Sequence, residues 1–503
     1  MTNAMTLTYQ TRLLLGQKQS EILAEYASLF NRVEHSLYKE IAKGTTSASC
    51  KNLFLKKYGI TARQFNACRI NLEGKIVACQ KGQEQALFSL KQKIEILEKK
   101  IKQLEKKPSK KFILHQKKRR KHHLQARLAA IEKDRKEGRV RLCFGGKKLF
   151  RSQFYPEKNG FSSHEEWKEI WEAKRKGEFF VLGSKDETAG NQTCTAGIQE
   201  NGKLSLRLRL PHALKEKYGK YIEIENVSFA YGKEAILAGL NNSNGQAISY
   251  RFKKDEKSWR LYLSTDLKEA EPISKEGTGA IGIDLNTDHI ACVETDRFGN
   301  PIEKKTISWI SYGKKKNQLK AMTGDICKQI IEKAKKAKKP IVIENLDFQK
   351  KKLELREKNE PKFVRLLSSF AYGLFFVSLI TRAFKNGIAV HQVNPAFTSL
   401  IGHVNYATRY GLSIHLAAAL CIARRHQQFS EVPCSPIRKI PDGKGNHVAF
   451  VLPVRKRTKH VWHFWGQVKR KLSTVLAAHF RANHRSSSPH PTLEISNSRL
   501  LLV

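Results

Sequence analysis

Long hydrophobic runs, paired cysteines and acidic residues are all scarce in this sequence of 503 residues. No apolar run approaches the ~20 residues that span a bilayer, and the N-terminus lacks a charged region followed by an apolar one. The nine cysteines are scattered without any Cys-x-x-Cys, which argues against both a disulfide framework and a zinc ribbon. We therefore expect a cytoplasmic protein that has no membrane partner and holds no zinc.

The shortage of acidic residues makes the chain strongly basic. Aspartate and glutamate together number 46 against 93 lysines and arginines, which gives a net charge of +47. Such an excess favours a polyanionic partner, because each neutralised phosphate releases counterions. The basic residues run along the whole chain instead of forming one cluster beside an apolar segment, so a nucleic acid fits the pattern better than a membrane surface.

Changes in apolar periodicity divide the chain into five predicted segments. They are a first strand (1–16), a helical lobe (17–138), a small β-barrel (139–276), an α/β domain (277–430) and a basic, partly disordered tail (431–503). The helical lobe carries a heptad seam that is interrupted at Pro108, which predicts an antiparallel hairpin. The first strand is expected to join the barrel, so that the helical lobe is an insertion in a multidomain α+β protein.

Two apolar strands of the predicted α/β domain end in a carboxylate. Asp284 follows the apolar residues 280–283, and Glu344 ends the apolar run 340–343. A buried carboxylate without a partner is costly, so an acid in this place is usually paired or bound to metal. A strand that carries Asp284 comes first, followed by a turn and a second strand. A strand ending in an acid and a late helix come next, and this order is typical of the RNase H-like arrangement. Its carboxylates hold two divalent ions, and oxygen ligands favour magnesium or manganese.

Three motifs resemble those of a known family. They are GIDLN around Asp284, IENLDF around Glu344, and the helical segment 411–425 around His415. These motifs are similar to the RuvC motifs of transposon-encoded TnpB/OrfB proteins and of the related type V CRISPR effectors. The resemblance covers roughly residues 5–430. It implies a helical recognition lobe inserted in a wedge β-barrel domain, followed by an RNase H-like (RuvC) α/β domain.

The family resemblance also implies an activity, which is RNA-guided cleavage of double-stranded DNA by a protein that a transposable element encodes. Guide RNA and target DNA are then the partners, and base pairing carries most of the sequence specificity. Asp284, Glu344 and His415 are the implied catalytic residues and ligands of two magnesium or manganese ions. The alternatives are an RNA-guided DNA-binding protein with an impaired nuclease site and a transposition accessory protein. The guide, the target, the flanking motif and the oligomeric state cannot be predicted.

The sequence departs from the family pattern at two points. His415 stands where the family has an aspartate, and no Asp or Glu occurs between residues 361 and 430 to replace it. Residues 345–414 contain no cysteine, so the family's zinc ribbon is missing. Three roles for His415 are open: a metal ligand, a general acid or base, or a structural residue in a decayed site.

Nine basic residues are candidates for contact with phosphates. They are Lys117, Lys118, Arg119 and Arg120 in the basic run of the hairpin, Lys147, Lys148 and Lys185 beside glycines, and Arg424 and Arg425 after the third motif. The alternatives are a solvated helix face, plain turns and surface charges. Near the end of the chain, Trp462 and Trp465 next to basic residues suit either base stacking or a small apolar cap. Whether RNA or DNA contacts the basic run stays open.

Overall fold

The computed structural model describes residues 4–187, 190–241, 246–256, 258–286, 288–311, 313–346, 372–433, 435–441 and 447–484. The chain divides into two compact units, Met1–Lys268 and Glu269–Val503. Among the helices within these ranges, none combines the length and the apolar character that a membrane crossing requires.

The strands of the first unit form two antiparallel sheets. The strands are β1 (Ala4–Arg12), β2 (Glu178–Val181), β3 (Cys194–Ile198), β4 (Leu204–Arg209), β5 (Tyr221–Val227), β6 (Ile248–Lys254) and β7 (Trp259–Lys268). One sheet has the order β1-β7-β6-β2, and the other has the order β3-β4-β5. Because β1 pairs with β7 along its whole length, the helices that follow β1 are an insertion between neighbouring strands, as predicted. Closure of these strands into a wedge barrel stays a prediction.

The helices of the first unit include a long antiparallel hairpin. The helices are Gln17–Ala42, Lys51–Tyr58, Ala62–Glu105, Lys111–Lys136, Lys147–Ser152, His164–Lys176, His212–Tyr218 and Lys233–Leu240. A short turn of 3-10 helix at Pro108–Lys110 separates the third helix from the fourth, at the predicted break. Ion pairs such as Lys121–Glu98 and Lys118–Glu105 connect the two arms at a register that only an antiparallel arrangement gives. The apolar seam of the first arm is buried, which confirms the predicted hairpin.

The second unit is built on a mixed five-stranded sheet. Its strands are β8 (Ile281–Leu285), β9 (His289–Thr295), β10 (Pro301–Ser308), β11 (Ile341–Glu344) and β12 (Val390–Val393), in the order β10-β9-β8-β11-β12. The first three are antiparallel neighbours, whereas β8, β11 and β12 run parallel. This topology is the RNase H-like arrangement predicted from the sequence, within a multidomain α+β protein.

Helices cover both faces of this sheet. They are Lys316–Ala337, Tyr372–Lys385, Thr398–Gly402, Thr408–Tyr410 and Ile414–His426, with a π-helical turn at His403–Ala407. Alternate strand residues such as Ile281, Ile283 and Ile343 pack against the first two helices. The residues between them, including Ala280 and Val342, pack against the helix Ile414–His426. Even-numbered residues of β8 and β11 therefore face that helix.

Residues 437–441 and 447–484, which the sequence analysis placed in a basic tail, form part of the core of the second unit. The strands β13 (Ile437–Pro441) and β14 (His447–Val451) form a hairpin, and Val461–His484 is a helix. Trp465, Phe464 and Leu472 are buried in one cluster with Ile440 and Phe450. Trp465 is fully buried, so it cannot stack on bases, and the apolar-cap interpretation describes it correctly. Disorder was predicted for residues 484–503. His484 is the last residue of this helix, and residues 485–503 lie outside the described residues.

Candidate nuclease-like site

Asp284 and Glu344 lie side by side at the carboxyl ends of two parallel strands. The pairing of Ile283 with Ile343 places the next residue of each strand in adjacent positions. Both carboxylates belong to the even-numbered set that faces the helix Ile414–His426, and both side chains are buried. The two acids therefore lie together beside the helix Ile414–His426. The acids at the ends of the two apolar strands predicted this convergence.

Gly282 allows that helix to lie directly against β8. A Cβ at Gly282 would come within 2.0 Å of the Ala419 carbonyl oxygen and 2.8 Å of the Ala423 amide nitrogen. The facing residues Ala419 and Ala423 are fully buried. Because Gly282 has no side chain, the backbones of β8 and the helix come into direct contact. The first turn of the helix therefore reaches the end of β8.

His415 contacts Asp284 from this first helical turn. The helix begins after Ser413, whose hydroxyl accepts a hydrogen bond from the Leu416 amide and caps it. His415 Nδ1 lies 3.1 Å from Asp284 Oδ2, and the ring N–H donates because an ionised carboxylate can only accept. The rings of His289 and His415 meet edge to face at 4.6 Å. The structure therefore brings the third predicted residue to the first one.

Glu344 is held as a largely protonated acid when no cation is present. Burial and the neighbouring Asp284 raise the pKa of Glu344 to about 8, and the Thr398 hydroxyl and Arg425 oppose this shift. The Thr398 hydroxyl donates a short hydrogen bond to Glu344 Oε1, and Tyr372 donates to the Glu344 carbonyl oxygen at 2.7 Å. Two buried carboxyl groups that share a site do not both ionise readily, so one of them, here Glu344, keeps its proton.

Two supporting residues were not identified as partners of the acids from the sequence. Thr398 follows Phe397, whose φ of 61° is unusual for a bulky residue and turns the chain into the helix below Glu344. Asn286 donates from Nδ2 to Asp284 Oδ2 at 2.9 Å. The only sequence signal was position: Asn286 belongs to the GIDLN motif, and Thr398 follows a predicted strand.

The raised pKa of Glu344 predicts a loss of stability with increasing pH in metal-free protein. Between the ordinary value of 4.5 and the folded value of about 8, the folded state keeps a proton that the unfolded state has released. Stability therefore falls across this window, by up to about 1.4 kcal/mol per pH unit. Glu344→Gln removes this dependence, so the difference in unfolding free energy between the variant and the wild type should grow from pH 5 to pH 8. Urea denaturation with a chelator present measures this difference.

The matched control for this measurement is Glu332→Gln, which changes an exposed glutamate on another helix of the same unit. This variant should follow the wild type at every pH. A difference between Glu344→Gln and the wild type that stays constant over the whole range would show that Glu344 does not titrate in this window.

Arg424 and Arg425, predicted to contact phosphate, are bound within the second unit. The Arg425 guanidinium pairs with Glu431 at 2.5 Å and donates to the carbonyl oxygens of Asn394 and Ala396. Arg424 donates to the Gly299 carbonyl oxygen at 2.6 Å and to the Tyr406 hydroxyl at 3.0 Å. These donors join neighbouring segments of the second unit, and contact of Arg424 and Arg425 with phosphate stays a prediction.

The other basic candidates belong to the first unit. Lys118 is exposed and paired with Glu105, and Arg119 is exposed on the same helix. Lys147, Lys148 and Lys185 are exposed as well. The glycine before Lys185 has a packing reason, because a Cβ at Gly183 would lie 2.1 Å from the Ile248 carbonyl oxygen. Contact of these lysines and Arg119 with nucleic acid stays a prediction, as it does for Lys117 and Arg120.

Comparison with known proteins gives no family assignment. No family model matches the chain, and no curated protein does. Among solved structures, a Cas12f1–sgRNA–target DNA complex is similar at 15% identity and a TM-score of 0.36, over 84% of this chain and 99% of that chain. T. thermophilus RuvC with a Holliday junction substrate has 16% identity and a TM-score of 0.21, over 29% of this chain and 90% of that chain. A CRISPR-Cas12f ternary complex has 15% identity and a TM-score of 0.20, over 83% and 98%. At these values the likeness carries no functional conclusion.

Proposed function

We propose that this chain is an RNA-guided DNA endonuclease of the TnpB type, which hydrolyses phosphodiester bonds with a variant RuvC-like site. The observation that carries the proposal is the convergence of three side chains. Asp284 and Glu344 end adjacent parallel strands, and His415 reaches Asp284 from the helix packed on them. The motifs around these residues support the RNA-guided class, and the net charge of +47 supports a polyanionic partner.

The donor set of the site fits a divalent metal. Two buried carboxylates share one region, and burial together with the charge of Asp284 raises the pKa of Glu344 to about 8. Arg425, whose charge opposes this shift, is already paired with Glu431 and with backbone carbonyls. A divalent cation bound to Asp284, Glu344 and His415 would activate the attacking water and stabilise the leaving oxygen. Magnesium and manganese are the expected ions, since carboxylate oxygens dominate the set.

The protein's own groups prepare this site in three ways. Glu344 must release its proton before it can act as a ligand, so metal binding near pH 7 should release about one proton. The Thr398 hydroxyl fixes the orientation of the Glu344 carboxylate. Hydrogen bonding to Asp284 fixes the His415 ring, which leaves Nε2 as the free nitrogen for a ligand or a proton.

The proposed function is tested by expressing the chain together with its native flanking DNA. The RNA that copurifies with the protein is sequenced, and a duplex matching the variable end of that RNA is incubated with the complex and Mg²⁺ or Mn²⁺. We expect cleavage that follows a changed guide to a new duplex. Purified protein that carries no discrete RNA, or cleavage that ignores the guide, would refute RNA guidance.

A second candidate function is an RNA-guided DNA-binding protein that no longer cuts. The observation in its favour is the third position of the site, where the imidazole of His415 replaces a carboxylate and supplies no negative charge to a metal. Glu344 is in addition mostly protonated at neutral pH. Asp284 is therefore the main charged ligand in the metal-free site. Target binding without cleavage in any divalent metal would favour this candidate.

Variants of His415 separate the two candidates. If His415 is a ligand, the wild type should cleave faster with Mn²⁺ than with Mg²⁺, because imidazole favours the softer ion. His415→Ala should then lower cleavage by about 10²-fold, on the scale of a lost charge-stabilising group. His415→Asp should restore cleavage and shift the preference toward Mg²⁺.

The comparison is made at equal occupancy of the target DNA, so that a binding defect is not read as a defect in cleavage. His463→Ala, at an exposed histidine of the last helix, is the matched control. Cleavage by His415→Asp alone, with an inert wild type, would identify a site that has lost its nuclease. Equal cleavage by the wild type and His415→Ala would show that His415 is structural.

A further inference from the structure

A second group of metal-binding side chains lies in the same unit, apart from the candidate nuclease site. Glu276 precedes β8, His391 lies on β12, and His426 is the last residue of the helix Ile414–His426. One ligand atom from each of the three residues lies within 4.8 Å of the others. His415 and His426 stand at opposite ends of one helix, roughly 16 Å apart at 1.5 Å per residue. The two groups of side chains are therefore separate sites.

The three side chains already point their donor atoms at one another. His391 Nε2 lies 2.8 Å from Glu276 Oε1, and His426 Nε2 lies 3.3 Å from Glu276 Oε2. The two imidazole rings stack at 4.3 Å with an angle of 20° between their planes. The Nε2 atoms of both histidines thus face one carboxylate, although the residues come from three different segments of the chain.

These distances are close to those of a tetrahedral zinc site. Zinc binds imidazole nitrogen and carboxylate oxygen at about 2.1 Å, which places the ligand atoms about 3.4 Å apart. The separations of 2.8 Å from His391 to Oε1 and 3.3 Å from His426 to Oε2 would therefore open by about 0.6 and 0.1 Å around the ion. Two imidazoles and one carboxylate suit zinc, whereas magnesium and calcium prefer oxygen donors only.

We propose that Glu276, His391 and His426 form a zinc site, with water as the fourth ligand. The ion joins the segment leading into β8, the edge strand β12 and the C-terminal end of the helix that carries His415. The negative end of the helix dipole at His426 adds a favourable field for a cation. Glu276 also borders a surface cleft of about 540 Å³, so this ligand is open to solvent. The expectation of no zinc rested on the missing cysteine ribbon, and this site uses no cysteine.

The function of such an ion is to fix the position of the helix Ile414–His426 relative to the sheet. β8 carries Asp284, and the helix carries His415, so a cross-link at one end of this pair stabilises the geometry at the other. The proposal does not depend on nuclease activity, because its consequences are metal binding and resistance to unfolding.

The test is zinc titration of chelator-stripped full-length protein that carries Asp284→Asn and Glu344→Gln, so that the nuclease-like site cannot take up zinc. We expect one equivalent of Zn²⁺ to bind, and the melting temperature to rise by about 5–10 °C at a hundredfold excess over Kd. His391→Gln and His426→Gln should each weaken binding by at least about tenfold. Cobalt should give intense visible bands typical of four-coordinate sites, without the near-ultraviolet bands of thiolate ligation.

Three controls keep the result specific. The wild type should keep the equivalent of zinc that the double variant Asp284→Asn/Glu344→Gln binds, so the changes at the nuclease-like site cannot account for the result. His463→Gln, at an exposed histidine, should also bind normally. Circular dichroism of the metal-free variants shows whether His391→Gln and His426→Gln still fold. Zinc binding that persists in both folded histidine variants, or a wild type that binds no zinc, would overturn the proposal.

Discussion

Replacing Asp284 with asparagine is expected to reduce metal-dependent cleavage of a matched duplex at least about 10³-fold. The change removes the main negative charge of the site while it keeps the shape of the side chain and a hydrogen-bond acceptor for His415. A metal site supplies several kcal/mol of charge stabilisation to phosphoryl transfer, and each 1.36 kcal/mol corresponds to a tenfold change in rate. Single-turnover cleavage with Mg²⁺ and with Mn²⁺ measures the effect.

The matched control is Asp325→Asn, which changes an exposed aspartate on the helix Lys316–Ala337 of the same unit. It should cleave at the wild-type rate. Both variants should bind the guide and the target as the wild type does, because the change at Asp284 affects the metal and not the nucleic-acid surface. Undiminished cleavage by Asp284→Asn would rule out the proposed site.

Gly282→Ala should destabilise the second unit and disable the site at the same time. The added methyl group would lie 2.0 Å from the Ala419 carbonyl oxygen, so the backbone of the helix must move away from β8. Overpacking of this kind costs about 3 kcal/mol, which corresponds to a decrease of about 6–12 °C in melting temperature for a unit of this size. The displaced helix also takes His415 away from Asp284, so cleavage should fall in the fraction that stays folded.

Gly324→Ala is the matched control, since it makes the same chemical change in a helix of the same unit. Its added methyl group would come no closer than 3.4 Å, to the end of the Arg382 side chain. Alanine in a helix interior is favoured over glycine, so this variant should gain roughly 0.5–1 kcal/mol in stability. A Gly282→Ala protein as stable as Gly324→Ala would show that the contact between strand and helix is loose.

Local chemistry explains where individual elements begin and end. Thr61 caps its helix by accepting a hydrogen bond from the Gln64 amide, after Gly59 ends the previous helix in the left-handed region. Both features follow from the chemistry of the residues themselves. The acids at the ends of β8 and β11 were predicted in the same way, because an apolar strand that stops at a carboxylate needs no distant partner to be recognised.

The roles of residues that depend on distant partners were missed or assigned wrongly. Arg425 looks like a surface charge along the chain, but its guanidinium is paired with Glu431 and lies below Asn394 and Ala396. The last helix looks like a basic tail, yet Trp465 is fully buried in the core. Hydrogen bonds and burial are set by neighbours in space, and a charge count along the sequence does not contain them.

The sequence by itself determined the RNase H-like order of strands, the two carboxylates Asp284 and Glu344, and the basic character that favours a nucleic acid. Each of these follows from short-range periodicity or from composition. Only the tertiary structure decided that His415 reaches Asp284, that Glu344 keeps a proton, and that Glu276, His391 and His426 meet. These features depend on how closely a helix packs on a sheet, and that distance is set by Gly282 and the buried alanines opposite it.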